Sequence, residues 1–499
     1  MGRVTAPHQA PATPPAELPT TLGALRATGH QYRTVKQELR DNVLARMRTG
    51  EDRFPGIVGY QDTVLPEVER ALLAGHDMVL LGERGQGKTR LIRSLGALLD
   101  EWTPVIPGSV LNEHPMRPLT PASRALVESA GDDLPIGWLH RSMRYGEKLA
   151  TPDTSVGDLI GDVDPVRLAQ GRTLGDPETI HFGLVPRTNR GVFAVNELPD
   201  LAERIQVALL NVLEERDIQV RGYQLRLPLD LLLVASANPE DYTNRGRIIT
   251  PLKDRFGAEI RTHYPLELEL ELALVGQEAD LVATVPEHVL EVLARFARAV
   301  RESPSVDPRS GVSARFAIAA AETVAAAALR RSGLLAGAGS ARAGHATPGG
   351  VDRAHPVPDV PVARIGDTVS VTSTLRGKVE FESGEEGRET EVLAHLLRTA
   401  TAETFRARLA GVDLSGFTAL VAEGGVIETG ELVSAVELLR QVGTVPGLAK
   451  ALDRLGLGDA PSPEEAAAGI EFVLEGLHLT RRLGKDVTDS GRTVYGDRD

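Results

Sequence analysis

Up to about residue 264 the chain alternates short apolar runs with amphipathic stripes, and beyond it the stripes continue alone. Met78–Leu81, Gly191–Val195 and Leu231–Ala237 are apolar runs too short for helices, the pattern of strands buried on both faces of a parallel sheet, and Gly257–Arg261 reads as one last short strand. Between them lie helical spacings. Val35, Leu39, Val43, Leu44 and Met47 form one stripe after Thr34, Val64–Leu73 holds a second, and Leu91, Ile92, Leu95, Leu98 and Leu99 form a third. Leu201–Glu214 is a fourth helix. Ile218, Val220, Leu225 and Leu227 alternate with Gln219, Arg221, Gln224 and Arg226 around Gly222-Tyr223, which predicts a β-hairpin. The fold class is α/β, a parallel sheet with flanking helices over residues 31–264.

The pattern also sets the divisions. Residues 1–30 are rich in Pro, Ala and Thr and predict a disordered tail. Leu111–Arg190 is loop-rich without clean periodicity, and Ser155–Gln170 reads as a short helix and a turn at Asp164-Pro165. Residues 265–335 form a helical region, with Val289, Leu293, Phe296 and Val300 as one stripe and a second helix opened by Arg315 after Ser310-Gly311. Residues 336–362 mix Gly, Ala, Pro and His as a linker. Residues 363–484 are mainly α-helical: Glu391, Leu393, Leu396 and Leu397 mark one helix, and Ser462-Pro-Glu-Glu465 caps another ending near Leu483. Glu382–Glu391 is read as a solvated helix face, and 485–499 as a tail.

One stretch carries chemistry. Gly82-Glu83-Arg84-Gly85-Gln86-Gly87-Lys88-Thr89, followed by Arg90, fits GxxxxGK[ST] without a mismatch and stands between a predicted strand and a predicted helix. Loop amides and the helix N-terminus make an anion site, the glycines let backbone approach phosphate, and Lys88 adds a mobile charge. The Thr89 hydroxyl is a Mg²⁺ ligand candidate, so the pattern predicts a site for ATP with Mg²⁺.

Other candidates follow from strand ends. Gly191–Val195 leads into Asn196-Glu197, where a carboxylate beside the phosphate loop polarises an attacking water, or merely faces a helix N-terminus. Asn196 stands where an Asp would hold Mg²⁺ through its water shell, and its amide oxygen lacks that charge. Asn238 ends another strand and either orients water or starts a turn before Pro239. Ile57 and Val58, at the tip of an apolar loop, contact a purine ring or form a plain turn. His114, His140 and His181 do not fall at helical metal-ligand spacing and read as structural or surface residues.

Composition narrows the class. The 499 residues suit two to four domains, and 25% charged with 42% hydrophobic residues is ordinary for a globular protein. A net charge of −14 argues against non-specific binding to nucleic acid or anionic lipid. The absence of Cys excludes disulfides and thiolate chemistry. Phe316–Leu335, the most Ala-rich segment, is broken by Glu322, Thr323 and Arg330-Arg331, so membrane insertion is not expected and a cytoplasmic location is.

The order GERGQGKT, GVFAVNE, a hairpin, ASANPEDY, LKDRFG and GVSARFA resembles AAA+ ATPases, in the branch of magnesium chelatase subunit I and MoxR-type proteins, over Thr34–Ser332. The resemblance implies a P-loop AAA+ core with an α-helical lid. It implies Asn238 as sensor 1, Arg255 as arginine finger with Arg247 as the alternative, and Arg315 as sensor 2. It further implies a homo-oligomeric ring, commonly a hexamer, that spends ATP hydrolysis on remodelling a partner, often one with a von Willebrand factor A domain. Asn196 departs from the family's Walker B Asp, which opens the alternative of a nucleotide-gated scaffold with little hydrolysis. A DNA-acting motor is a third alternative. Nothing in the sequence reads as a porphyrin site.

Overall fold

The apolar runs become the centre of a five-stranded sheet in a computed structural model of the chain: β1 (Met78–Leu81), β2 (Tyr145–Leu149), β3 (Gly191–Asn196), β4 (Leu231–Ala237) and β5 (Ala258–Arg261). The structure describes residues 13–164, 179–214, 218–220, 223–225, 227–239, 247–307, 311–343, 360–422, 425–488 and 492–497. The strands lie in the order β5-β1-β4-β3-β2 and every pairing is parallel. β1, β3 and β4 are buried along their whole length, as a parallel sheet covered on both faces requires. Alternation along each strand feeds two cores. Met78, Leu80, Val192, Ala194, Leu232 and Val234 pack with the helices Val35–Thr49, Val64–Ala74 and Lys88–Ser94. Val79, Leu81, Phe193, Val195, Leu231 and Leu233 pack on the other face, against the helix Glu203–Glu214.

Local chemistry sets the helix starts. Thr34 and Gln37 form a capping box at the head of Val35–Thr49, and Ser462 with Glu465 forms another at the head of Pro463–Leu479. The edge strand β2 ties back to the first of these helices. Arg144, fully buried, donates Nη1 and Nη2 to the two carboxylate oxygens of Glu38 at 2.7 Å each, and its Nε donates to the Arg190 carbonyl at 2.7 Å. A bidentate, fully satisfied pair of this kind fixes geometry more than it adds net stability.

The chain divides after His263 into two units. In the second, the helices Leu268–Glu278, Glu287–Glu302 and Ala314–Ala343 share one apolar cluster with the helices Glu389–Arg408, Ala435–Val442 and Pro463–Leu479. The division expected between residues 335 and 363 therefore does not separate two cores. A small antiparallel sheet, with Thr493–Gly496 between Ile427–Thr429 and Gly484–Val487, extends into the expected tail.

Three expectations are corrected. Residues 13–30 are not an unstructured tail: Thr21 caps a helix, Leu22–Ala27, whose Leu22 and Leu25 are buried against Leu134 and Ile136. Two buried leucines outweigh a composition dominated by their neighbours. Residues 336–343 continue the helix begun at Ala314, since alanine sustains it past the glycines. Glu382–Glu391 is not one helix face: the helix begins at Glu389, and Ser305 Oγ donates to Glu385 at 2.9 Å in the turn before it. Pro165–Gln170, Arg221, Gly222, Arg226 and Ser310 lie outside the described residues; the hairpin forms between Ile218–Val220 and Tyr223–Leu225, but Tyr223 belongs to the second strand, where it pairs with Val220, and not to the turn.

Candidate nucleotide site

Parallel strands bring their C-terminal ends to one edge, and that is where the candidate residues gather. Leu81 is level with Ala237 on one side and Arg261 on the other, and Leu149 with Asn196. The Gly82 N–H donates to the Ala237 carbonyl at 3.2 Å, which sets the first residue of the phosphate loop beside Asn238. Gly85 and Gly87 take φ of +76° and +78°, a region that costs glycine little, so the loop can curl before the helix Lys88–Ser94. Gly82 is needed for space: a Cβ there would meet Thr262 Oγ1 at 1.9 Å.

Lys88 is buried, and its ammonium donates to the Gly82 carbonyl and to the Glu83 carbonyl, the latter at 2.7 Å. The lysine thus lies inside the curl of its own loop, where phosphate oxygens would meet it. Gln86 is braced from β5: Thr262 Oγ1 donates to its Oε1 at 2.7 Å, and the Tyr60 hydroxyl donates to its carbonyl. Burial pushes the Tyr60 phenol up to about 12, so it remains a donor. In the loop before the helix Val64–Ala74, Phe54, Ile57 and Tyr60 are core residues, while Val58 is half-buried. Of the two residues read as purine contacts, Val58 is the more accessible.

Asn196 closes β3. Its Nδ2 donates to Glu147 Oε1 at 2.6 Å and its Oδ1 accepts from Ser236 Oγ at 3.1 Å. Glu197 follows with φ +56° and ψ +47°, a left-handed conformation that a non-glycine residue holds at a cost and that clusters at functional sites. It is the N-cap of the three-residue 3-10 turn Leu198–Asp200, without a side-chain cap hydrogen bond to it. Asn238, at the end of β4, is buried.

The three arginines lie outside the strands of the sheet. Arg255 ends the helix Thr250–Arg255, is half exposed, and pairs through Nη2 with Glu214 rather than with Asp254 or Glu259. Glu259 is paired instead with Lys253 at 3.1 Å. Arg247 lines a cleft of about 520 Å³ with Asp200, Glu203 and Gln206, and its carbonyl accepts from Gln206 Nε2 at 3.1 Å. Arg315 lies exposed in the first turn of Ala314–Ala343, in the second unit.

The oxygens of Thr89, Asn196 and Glu197 are hard donors, and with Lys88 in the loop they are a set that fits a triphosphate with Mg²⁺. Among the described residues no cluster of three His, Asp or Glu side chains forms a separate metal site. His114 is structural: its Nδ1 accepts from the Met116 N–H at 3.0 Å and its Nε2 lies 3.1 Å from His30 Nε2. His140 caps the turn Arg141–Arg144, and His181 is exposed. Thr262 and Glu147 join the site from distant parts of the chain, whereas Arg93 and Ser236 lie near Thr89 and Asn238 in sequence but carry no motif of their own.

No protein-family model matches the chain. Among curated proteins it is 28% identical over 239 residues to the magnesium-chelatase subunit ChlI of Nostoc sp., covering 47% of this chain and 60% of that protein. It is 30% identical over 232 residues to the magnesium-chelatase 38 kDa subunit of Cereibacter sphaeroides, covering 44% and 62%. The chain thus spans about three fifths of the length of the curated relatives it matches. A solved structure of the complex between subunits BchI and BchD of magnesium chelatase aligns at 23% identity over 58% of this chain and 89% of that one, with a TM-score of 0.34.

Proposed function

We propose that this chain, an α/β P-loop AAA+ protein similar to magnesium chelatase subunit I, binds ATP with Mg²⁺, hydrolyses it, and uses the cycle to remodel a partner protein from a ring. The hydrogen bond from Gly82 to Ala237 carries the reading, because it puts the phosphate loop beside Asn238, on the edge where Asn196 and Glu197 also end their strand. Lys88 and the loop amides grip the phosphates, and Thr89 with Asn196 holds the metal, which spreads phosphate charge when bound. Glu197 accepts a proton from the attacking water, whose oxygen bonds to the γ-phosphorus as the bond to ADP breaks. Asn238 orients that water. Val58 lies against the purine, Arg315 acts as sensor 2, and Arg255 reaches the site of a neighbouring subunit. The ring is a hexamer of MoxR or chelatase kind and its partner carries a von Willebrand factor A domain, both of which follow from the family resemblance, and we place it in the cytoplasm.

Position 196 supports a second reading, a nucleotide-gated scaffold that hydrolyses little, because an amide stands where the family has an acid. Steady-state phosphate release separates the two. The motor reading expects wild type to exceed Glu197→Gln clearly. Equal release from both chains, with ATP binding intact, leaves the scaffold reading standing and removes the motor.

A further inference from the structure

The amide of Asn196 is used at both ends, and its partners fix which way it points. A carboxylate only accepts, so Nδ2 faces Glu147 at 2.6 Å and Oδ1 takes the Ser236 hydroxyl at 3.1 Å. Glu147 is itself held on β2 by Arg93 Nε at 2.8 Å, Arg93 Nη2 at 3.0 Å and the Tyr145 hydroxyl at 3.0 Å. The two Arg93 donors make a charge-assisted, bidentate pair with this carboxylate. Arg93 follows Thr89 by one helical turn on the helix that the phosphate loop opens. The cluster therefore joins that helix to the strand that delivers Glu197.

An Asp at position 196 would set one acceptor oxygen against another at 2.6 Å, between two like charges. Positions 147 and 196 accommodate one carboxylate between them. Arg93 does not cancel that charge outright, because its side chain is 51% exposed and water screens such a pair. A purely structural surface ion pair would have no need of a buried amide pressed against it, and Asn196 is 5% exposed.

We propose that Glu147 is the acidic residue of the Mg²⁺–nucleotide site: a positioning residue that acts through Asn196 and supplies, from the neighbouring strand, the negative charge that position 196 lacks. The inference rests on the ATP reading of the same site. It explains why an amide is present without requiring that the site be dead.

Four full-length chains test it: wild type, Glu147→Gln, Asn196→Asp and the double variant. Each is titrated with Mg²⁺ while binding of a fluorescent ATP analogue is followed, with thermal melting as the folding control. Outer-shell partners of a bound metal are worth about 10–100-fold in affinity, so Glu147→Gln should raise the Mg²⁺ requirement by about tenfold or more. Asn196→Asp alone should weaken Mg²⁺-dependent binding or melt early. The double variant again holds one carboxylate and should return to within about threefold of wild type, less than the smallest outer-shell effect. Arg93→Gln removes the ion pair and keeps both carboxylate and amide, and should shift the Mg²⁺ requirement less than Glu147→Gln does. An unchanged requirement in Glu147→Gln, or a double variant no better than its singles, overturns the inference. Lys88→Ala marks the premise: if it binds ATP as wild type does, the nucleotide reading fails and the inference with it. If Lys88→Ala loses binding and Glu147→Gln behaves as wild type, only the inference fails.

Discussion

Ser236 donates its hydroxyl to the amide oxygen of Asn196 at 3.1 Å and accepts the N–H of Glu197 at 3.3 Å, so one side chain on β4 holds two consecutive residues at the end of β3. A left-handed non-glycine residue persists only where its surroundings over-determine it, and this hydroxyl is part of what does so for Glu197. Ser236→Ala leaves a buried amide oxygen unsatisfied, a loss of about 1–3 kcal/mol. Denaturant unfolding should show that loss, and on the proposed function, in which Glu197 serves the chemical step and Lys88 the binding, turnover should fall further than ATP affinity. Turnover unchanged in a folded Ser236→Ala protein would separate the hydroxyl from the catalytic edge.

How much of this edge could be read from the chain follows from how each contact is made. The phosphate loop and the ends of β3 and β4 are local: an apolar run, then a polar residue or glycine, all within ten positions. The capping boxes at Thr34 and Ser462 are local too, and both stand where the spacing puts them. β2 gives no signal in the sequence because Tyr145–Leu149 is an edge strand, half-buried and largely polar, with no apolar run to announce it. Glu147 then meets Asn196 across 49 positions of sequence, and Arg93 meets Glu147 across 54, distances at which residue type gives no sign of pairing. Arg255 has Asp254 and Glu259 as acidic neighbours in sequence, yet it pairs with Glu214 on an adjacent helix.

A buried histidine pair gives a stability prediction with a defined sign. The Met116 N–H occupies Nδ1 of His114, so the ring proton sits on Nε2 and is donated to His30 Nε2 at 3.1 Å. Burial, then the charge of Arg190, lowers His114 from 6.5 to about 2 and lowers His30 as well; Arg117, Tyr32 and Asp230 stand around the pair. Below 6.5 the unfolded chain takes up a proton on His114 that the folded chain refuses, so stability falls as pH falls. From pH 6.5 to about 5, before most carboxylates titrate, His114 alone should remove roughly 2 kcal/mol. Chemical denaturation across that range should show the slope, and His114→Gln should flatten it. A slope identical in both proteins would assign the acid sensitivity to other groups.

The last prediction concerns Arg255 and the assembly. Its guanidinium is half exposed and pairs with Glu214, itself well exposed, an arrangement worth about 0–1 kcal/mol. Loss of that pair alone would leave turnover untouched. An arginine supplied to a neighbour's γ-phosphate offsets charge as the phosphoryl group transfers, an effect on the order of 10³–10⁵ in related NTPases. On the proposed roles, Lys88→Ala removes the phosphate grip and keeps the finger, and Arg255→Ala does the reverse, so each should be inactive alone. Mixed, an intact Lys88 in one subunit can face an intact Arg255 in the next, and phosphate release should partly return. Two inactive variants that assemble and show no recovery on mixing would rule out action in trans. Normal turnover in Arg255→Ala would take the residue out of the mechanism, and Arg247→Ala, on the cleft beside Asp200 and Glu203, would be the next chain to put through the same mixture.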